Sequence, residues 1–242
     1  MKIARVLDCD GTIVPKINGR TLLENLLLDY YKQQAGLKKL DLAFRGLVVK
    51  SCRKFARGLF SVFDDPTMTG ETTSLQVCDI VYIRPAKIPI SFVKECSGGY
   101  GKYIRPSVRE ALSNCTDDIY VVSAEPAQLL DAVFRAANIR EAIMDVYCTR
   151  FKIKDDIIAG FEKLGLHAGM RGKYLGLMEV ASKPYDKIYT LGDSAADAGF
   201  ELHRAERLVP CTFSSAPEEL KASVLSRNGK LVNSVEEFLQ LN

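Results

Sequence analysis

The chain has 242 residues, enough for one large domain or for a domain with an insertion, and either can bury a hydrophobic core. Charged residues make up 26% of the sequence and hydrophobic residues 47%, which is typical of a soluble globular protein. The net charge of +3 is too small a bias to indicate nucleic-acid binding, so no nucleic-acid partner is expected.

The seven cysteines are odd in number and never spaced C-x-x-C, which indicates neither a disulfide framework nor a zinc site. This pattern favours a reducing compartment. The amino-terminal residues form no signal-peptide core, and no apolar run is long enough to cross a bilayer. We therefore expect a cytoplasmic protein with no membrane partner.

A short apolar run, Ile3 to Leu7, ends in two carboxylates one residue apart, Asp8 and Asp10. Because positions i and i+2 of an extended segment share a face, a strand ending here aims both carboxylates at one point. Crowded carboxylates repel each other unless a cation lies between them. Mg²⁺ suits this arrangement because proteins usually hold it with one or two carboxylates. The sequence therefore predicts a Mg²⁺ site at the end of the first strand.

The next segment is predicted to form a flap and then a helix. Asn18-Gly19 between apolar positions is a strong hairpin signal and predicts a small flap beside the carboxylates. Thr21 followed by Glu24 has the capping-box pattern, which predicts a helix that begins near Leu22 and ends before Gly36.

Residues 44–59 have the apolar spacing of a second amphipathic helix. Basic residues lie mostly between the apolar positions, and this face is either solvated or attracts an anionic substrate: Arg45, Lys50, Arg53, Lys54 and Arg57. The glycine-rich segment 97–101 is predicted to be a linker. These features predict a mainly helical cap, residues 15–101, inserted into a core made of residues 1–14 and 102–242.

From Pro106 onward, predicted strands alternate with predicted helices. Strands are expected at 119–123 and 187–191, and a strand pair with a polar turn at 143–161. This alternation is typical of an α/β fold with a parallel sheet. Ligands bind beyond the carboxyl ends of the strands in such sheets. Asp8, Ser123 and Asp193 all fall at or just beyond such ends, and we expect them to lie together.

Four segments resemble the motifs of haloacid dehalogenase-like phosphohydrolases. Asp8-Cys9-Asp10-Gly11-Thr12 resembles the first motif, D-x-D-G-T, and Val121-Val122-Ser123 resembles the second. Lys173, which follows Gly172 and is expected to open a helix, is similar to the third, with Lys183 as the alternative. Gly192 to Asp197 resembles the fourth, G-D-x-x-x-D. The motif order, the inserted module and the strand pair are most similar to the phosphoserine-phosphatase-like branch. The resemblance implies a Rossmann-like parallel sheet with a mobile helical cap.

The resemblance also implies roles for individual residues in phosphoryl transfer. Asp8 would attack phosphorus, and Asp10 would act as the general acid and then as the general base. Phosphate and substrate would be bound by Thr12, Ser123, Ala124 and Lys173. Mg²⁺ would be held by Asp8, the backbone carbonyl of Asp10, Asp193 and Asp197, the last of which could instead position Lys173 or a metal-bound water. The expected partner is a small phosphorylated metabolite.

Other functions are compatible with parts of this pattern. A dehalogenase needs neither a leaving-group proton nor a metal, whereas Asp10 and Asp193 indicate both. A phospho-acceptor switch of the response-regulator type lacks a carboxylate two residues after its nucleophile. A nucleic-acid-binding protein would use the basic face of residues 44–59. A phosphomutase or phosphotransferase shares every motif and remains an alternative, as does phosphoserine phosphatase itself.

Two positions depart from the phosphoserine-phosphatase-like pattern. That branch typically carries a glutamate about nine residues beyond the nucleophile to hold the amino group of serine, and the matching residue here is Ile17. Glu125 follows Ser123 where glycines are usual, and it is expected to add negative charge near the phosphate. We therefore expect the preferred substrate to be a phosphorylated metabolite without a free amino group.

Overall fold

The computed structural model describes residues 1–34, 83–162, 169–194, 197, 200 and 206–241. The predicted basic helix at residues 44–59 lies outside the described residues. Within the described ranges, the architecture is a single sheet with helices on its two faces.

Seven strands of the described part of the chain form the sheet, in the order β4-β3-β2-β1-β5-β6-β7. Neighbouring strands are parallel except for β3 and β4, which are antiparallel. The predicted α/β class with a Rossmann-like parallel sheet is confirmed. The strands are β1 (Ile3–Leu7), β2 (Asp118–Pro126), β3 (Ile143–Lys154), β4 (Ile157–Glu162), β5 (Lys187–Gly192), β6 (Leu208–Phe213) and β7 (Lys230–Val232).

The described helices include long ones that cover the sheet and single-turn segments that join elements. No described helix has the length and apolar character needed to cross a membrane. The helices are α1 (Leu22–Gln33), α2 (Arg84–Ala86), α3 (Ile90–Gly101), α4 (Pro106–Asn114), α5 (Ala127–Ala136), α6 (Gly169–Ala181), α7 (Glu218–Leu225) and α8 (Val235–Leu239), with a 3-10 turn at Arg140–Ala142.

The predicted turn before α1 and the predicted capping box at its start are both present in the structure. Asn18 and Gly19 both adopt positive φ, at 53° and 73°, as a tight turn requires, and Ile17 pairs with Arg20 across them. The side chain of Thr21 accepts the N–H of Glu24, and the Glu24 carboxylate accepts the N–H of Thr21. This reciprocal capping box fixes the start of α1.

Two local expectations were wrong. Residues 97–101 are the final turns of α3 and not a linker, and neither Gly98 nor Gly99 takes a positive φ. Ser97 is buried and donates to the carbonyl of Val93, which shows that this part of the helix is packed. Lys173 lies in the second turn of α6 and does not open the helix. The cap boundaries at residues 15 and 101 stay a prediction.

The core has one layer on each face of the sheet. Because side chains alternate along a strand, Leu7 and Val121 join the larger layer beneath α1, α3 and α5, whereas Val6 and Val122 join the smaller layer beneath α6. Leu177 and Val180 of α6 complete the smaller layer. The central strands are therefore buried on both faces, and their carboxyl ends are held rigidly.

Arg5 is a charged residue in the central strand, and its guanidinium ties the end of the chain to β1. Its side chain is 2% exposed. It donates to the Asp117 carboxylate at 2.6 Å, to the carbonyl of Leu241 at 2.6 Å and to the carbonyl of Phe238. These bonds give hydrogen-bond partners to the guanidinium, to the Asp117 carboxylate and to the carbonyls at the carboxyl end of α8.

Replacing Arg5 by Met should therefore destabilise the fold by about 3 kcal/mol, because two carbonyls and a carboxylate lose their donor. Urea denaturation followed by circular dichroism measures this change. Arg135 makes an exposed ion pair with Asp131, so Arg135→Met is the control and should leave the urea midpoint almost unchanged. Equal effects of the two substitutions would contradict this account of Arg5.

Candidate active site

Three strand ends bring the predicted site residues together. Asp8 follows β1, Ser123 lies near the end of β2, and Asp193 follows β5, which are three adjacent strands of the sheet. The N–H of Asp8 donates to the carbonyl of Leu191 at 2.9 Å, so the register of β1 and β5 continues into the site. One carboxylate oxygen each from Asp8, Asp193 and Asp197 lies within 4.8 Å of the others.

The loop after Asp8 turns sharply at Gly11. The carbonyl of Cys9 accepts the N–H groups of Thr12 at 3.2 Å and Val14 at 2.9 Å, which closes the turn. Gly11 has φ +81°, and a Cβ placed there would lie 2.1 Å from an oxygen of Asp193. Glycine is required for both reasons, and its absent side chain lets the Asp193 carboxylate approach the first motif.

The Lys173 ammonium lies at the centre of the acidic group and is buried. It contacts the Asp8 carboxylate, donates to the carbonyl of Val122 at 2.9 Å and lies 3.0 Å from an oxygen of Asp197. Helix α6 can come this close to the sheet because Gly176 faces Val122, where a Cβ would be only 2.6 Å away.

Lys183, the alternative for the third motif, lies elsewhere. Its ammonium is 3.3 Å from the hydroxyl of Tyr120 and 4.5 Å from the centre of that ring. Lys173 is thus the lysine of these two that reaches Asp8.

Asp197 shapes the loop after β5. One of its carboxylate oxygens accepts three hydrogen bonds of 3.0 Å, from the N–H groups of Asp193 and Ser194 and from the Ser194 hydroxyl. Its other oxygen faces Lys173. This residue therefore links the fourth motif to the lysine, which agrees with a positioning role and leaves its predicted role as a metal ligand open.

Asp10 contacts the start of α1 and Glu125, although it lies only two residues from Asp8. Its side chain accepts the N–H of Leu22 at the start of α1, at 3.3 Å, and contacts the carboxyl group of Glu125. The group of three clustered carboxylates does not include Asp10. Its predicted contact with metal through the backbone carbonyl stays a prediction.

The predicted phosphate-binding residues lie in the loop after β1, near the end of β2 and in α6. Ser123 is buried, and its hydroxyl oxygen accepts the N–H of Glu125 at 3.2 Å. The carbonyl of Ala124 accepts the Thr149 hydroxyl at 2.7 Å. The Thr12 hydroxyl is buried with no hydrogen-bond partner among the described residues, so it can bind an added ligand.

The site carries more negative than positive charge. Burial raises the pKa of the Asp8 carboxyl well above its usual range, and the Lys173 ammonium opposes that shift. Burial also raises the pKa of Asp193, here opposed by Lys16, whose ammonium lies 2.9 Å from the carboxylate. Desolvated carboxyl groups in one place favour the binding of a further cation.

The residues present fit a Mg²⁺ ion. The second oxygen of Asp193 is buried with no hydrogen-bond partner within the described ranges, and Asp193 belongs to the group of three clustered carboxylates. Oxygen ligands from carboxylates are those that Mg²⁺ prefers. An unpaired buried carboxylate oxygen is costly, and a metal ion would satisfy it.

Two residues at this site were not assigned from the sequence. Lys16, in the flap, pairs with Asp193, and a basic residue just after the first motif was the only available signal. Glu125 was expected to add negative charge near the phosphate; its carboxyl group is instead buried against the start of α1, where it accepts the N–H of Leu23. Burial, followed by the charge of Asp10, raises the pKa of Glu125 well above its usual range, which favours the uncharged form.

Comparisons with known proteins show a shared fold. No family model matches the sequence, and neither does any curated protein. Solved structures do match. A phosphoserine phosphatase in its apo form gives a TM-score of 0.61 at 15% identity, covering 99% of this chain and 98% of that one. A phosphoserine phosphohydrolase-like protein from Francisella tularensis gives 0.61 at 16% identity, covering 98% of each chain.

A third similar structure is a nucleotidase. Cytosolic 5'-nucleotidase IIIB, bound to cytidine, gives a TM-score of 0.57 at 15% identity, covering 96% of this chain and 80% of that one. These similarities extend over nearly the whole chain. They confirm the fold that the sequence motifs predicted, which is that of the phosphoserine-phosphatase-like proteins.

Gly11 offers a direct test of the packing at the site. Gly11→Ala should cost about 1–2 kcal/mol for the left-handed backbone alone, and more because the new Cβ would clash with Asp193. Gly19→Ala is the matched control, because Gly19 has φ +73° with nothing within 4 Å of a Cβ. Urea denaturation of both variants should show a clearly larger loss at position 11. Equal losses would mean that Asp193 does not lie against Gly11.

Proposed function

We propose that this protein is a Mg²⁺-dependent phosphatase that hydrolyses a small phosphomonoester through an aspartyl-phosphate on Asp8. The observation that carries the proposal is the buried ammonium of Lys173, which contacts both Asp8 and Asp197 at the carboxyl ends of β1 and β5. The fold shared with phosphoserine phosphatases and a 5'-nucleotidase supports the same reaction class.

The first step forms a bond between an Asp8 oxygen and phosphorus and breaks the bond from phosphorus to the leaving oxygen. The leaving oxygen takes a proton from Asp10. Burial raises the pKa of Asp10, which favours the protonated form that a general acid needs. In the second step Asp10 takes a proton from the attacking water, the bond from phosphorus to Asp8 breaks, and phosphate is released.

Positive charge and donors are needed around the phosphoryl oxygens. Lys173 provides an ammonium, and the hydroxyls of Ser123 and Thr12 provide O–H donors beside Asp8. Mg²⁺ would be held by Asp8, Asp193, Asp197 and the carbonyl of Asp10, and when bound it supplies the charge that lets an anionic nucleophile approach an anionic phosphate. Asp197 orients both Lys173 and the loop that carries Asp193.

The residues near the flap support a substrate without a free amino group. Ile17 is buried in the larger core layer, so its position offers no carboxylate to an ammonium. The neighbouring Lys16 is basic and repels a cationic group. The same fold and residues could serve a phosphomutase or phosphotransferase, and analysis of the products separates these from a hydrolase.

The central test is hydrolysis of p-nitrophenyl phosphate by the full chain with Mg²⁺. We expect activity that stops in excess EDTA and returns with added Mg²⁺. Asp8→Asn and Lys173→Met should lower kcat by at least about 10³-fold, because they remove the nucleophile and its buried cation. Lys183→Met is the matched control and should keep wild-type kcat, since Lys183 contacts Tyr120 and not the site.

Full activity in EDTA would overturn the metal assignment. Full activity of Asp8→Asn, with its fold verified by circular dichroism, would overturn the proposed mechanism. Trapping of phosphate on the wild-type chain, but not on Asp8→Asn, would locate the covalent intermediate directly.

Substrate choice is tested by comparing phosphoserine with glycerol phosphate and sugar phosphates. We expect kcat/KM to be lower for phosphoserine, because an ammonium bound near Ile17 would be desolvated and unpaired. A phosphoserine kcat/KM of roughly 10⁵ M⁻¹s⁻¹ or above, and higher than for the other esters, would show that this part of the proposal is wrong.

A further inference from the structure

Glu125 is a buried carboxyl group that the proposed chemistry does not use. It lies in a bulge near the end of β2. Ser123 pairs with Cys148 and Pro126 pairs with Thr149, so that Ala124 and Glu125 are two extra residues on β2. The Thr149 hydroxyl donates to the carbonyl of Ala124 at 2.7 Å and holds the bulge in place. Bulges commonly re-aim side chains beside functional sites, and this one directs Glu125 towards α1.

The first three N–H groups of α1 are all bound by side chains. The Glu24 N–H donates to Thr21 within the helix cap, at 3.3 Å. The Leu22 N–H donates to Asp10 at 3.3 Å, and the Leu23 N–H donates to Glu125 at 2.9 Å. Two of these three acceptors come from the ends of β1 and β2 and not from the helix itself.

The carboxyl groups of Glu125 and Asp10 also contact each other. Asp10 is therefore held on one side by the backbone of α1 and on another by Glu125. Because α1 already has its own capping box, a further cap is not needed to begin the helix. What Glu125 adds is a fixed direction for the Asp10 side chain.

We propose that Glu125 is a positioning residue that holds Asp10 and the first turn of α1 in one arrangement, so that Asp10 faces the leaving oxygen. This inference rests on the proposed function, in which Asp10 is the general acid. It predicts a defect in both proton transfers by Asp10, and in the first step this defect is confined to leaving groups that need a proton. A residue that only stabilised the helix would instead affect stability and treat all leaving groups alike.

The test compares Glu125→Gln with Glu125→Ala on esters that differ in leaving group. A glutamine can accept the Leu23 N–H with its oxygen and donate its amide N–H to Asp10, so it keeps both contacts. We expect Glu125→Gln to stay within about threefold of wild-type kcat on every ester. In the first step, Glu125→Ala should lose roughly tenfold or more on an alkyl phosphate and about threefold or less on p-nitrophenyl phosphate, whose leaving group needs no proton.

A double-mutant cycle sharpens this test. The first step is measured alone, as the burst of p-nitrophenol and of a poorer phenol in stopped flow, for wild type, Glu125→Ala, Asp10→Asn and the double variant. If Glu125 acts through Asp10, Glu125→Ala adds no further loss once Asp10 is Asn. A full additional loss in the double variant would overturn the proposal.

A separate control shows whether each variant folds. Urea midpoints of each variant are measured, and if Glu125→Ala does not fold, Thr149→Val replaces it. That change keeps the shape of the side chain but removes the hydroxyl that holds the bulge, and it should produce the same dependence on leaving group in weaker form. Equal losses on all leaving groups, or no loss with either variant, would overturn the positioning role. An inactive wild-type chain would instead overturn the proposed phosphatase function.

Discussion

The structure depends on a buried ion group in which the Lys173 ammonium lies between Asp8 and Asp197. Removing such charges from water costs several kcal/mol for each ion, and mutual attraction rarely returns much more than this cost. The arrangement is therefore poorly explained as a source of stability. Its geometry is set by rigid elements, the ends of β1 and β5 and a helix drawn close to the sheet at Gly176. These rigid elements hold the buried charges in fixed positions, which the proposed phosphoryl transfer requires.

Much of this site could be predicted because it depends on signals carried by short segments of the sequence. The alternation of strands and helices predicts a parallel sheet, and residues that follow adjacent strands must meet at one edge. Asp8, Ser123 and Asp193 came together for that reason. The sequence Asn18-Gly19 correctly predicted a tight turn, and both residues adopt positive φ. The capping box at Thr21 correctly predicted where α1 begins.

What the sequence did not predict depends on tertiary packing. Glycines at 97–101 indicate a linker by composition, but the helix continues through them because its neighbours bury it against α5. Gly101 is in fact the position where α3 approaches Ala136 and Ala137, where a Cβ would lie about 3 Å away. The direction of Glu125 could not be predicted either, because it depends on a bulge set by the pairing of β2 with β3.

The start of α1 depends both on local sequence signals and on tertiary packing. The partial positive charge at a helix N-terminus attracts carboxylates, and here the carboxylates belong to the ends of two core strands. The direction of Asp10 is thus set by the first helix after the flap as well as by its own strand. Any tilt of α1 relative to the sheet would change the position of Asp10 with respect to Asp8. A movement of the segment that follows the first motif would therefore displace the Asp10 side chain and leave Asp8, which is held by Leu191 and Lys173, where it is.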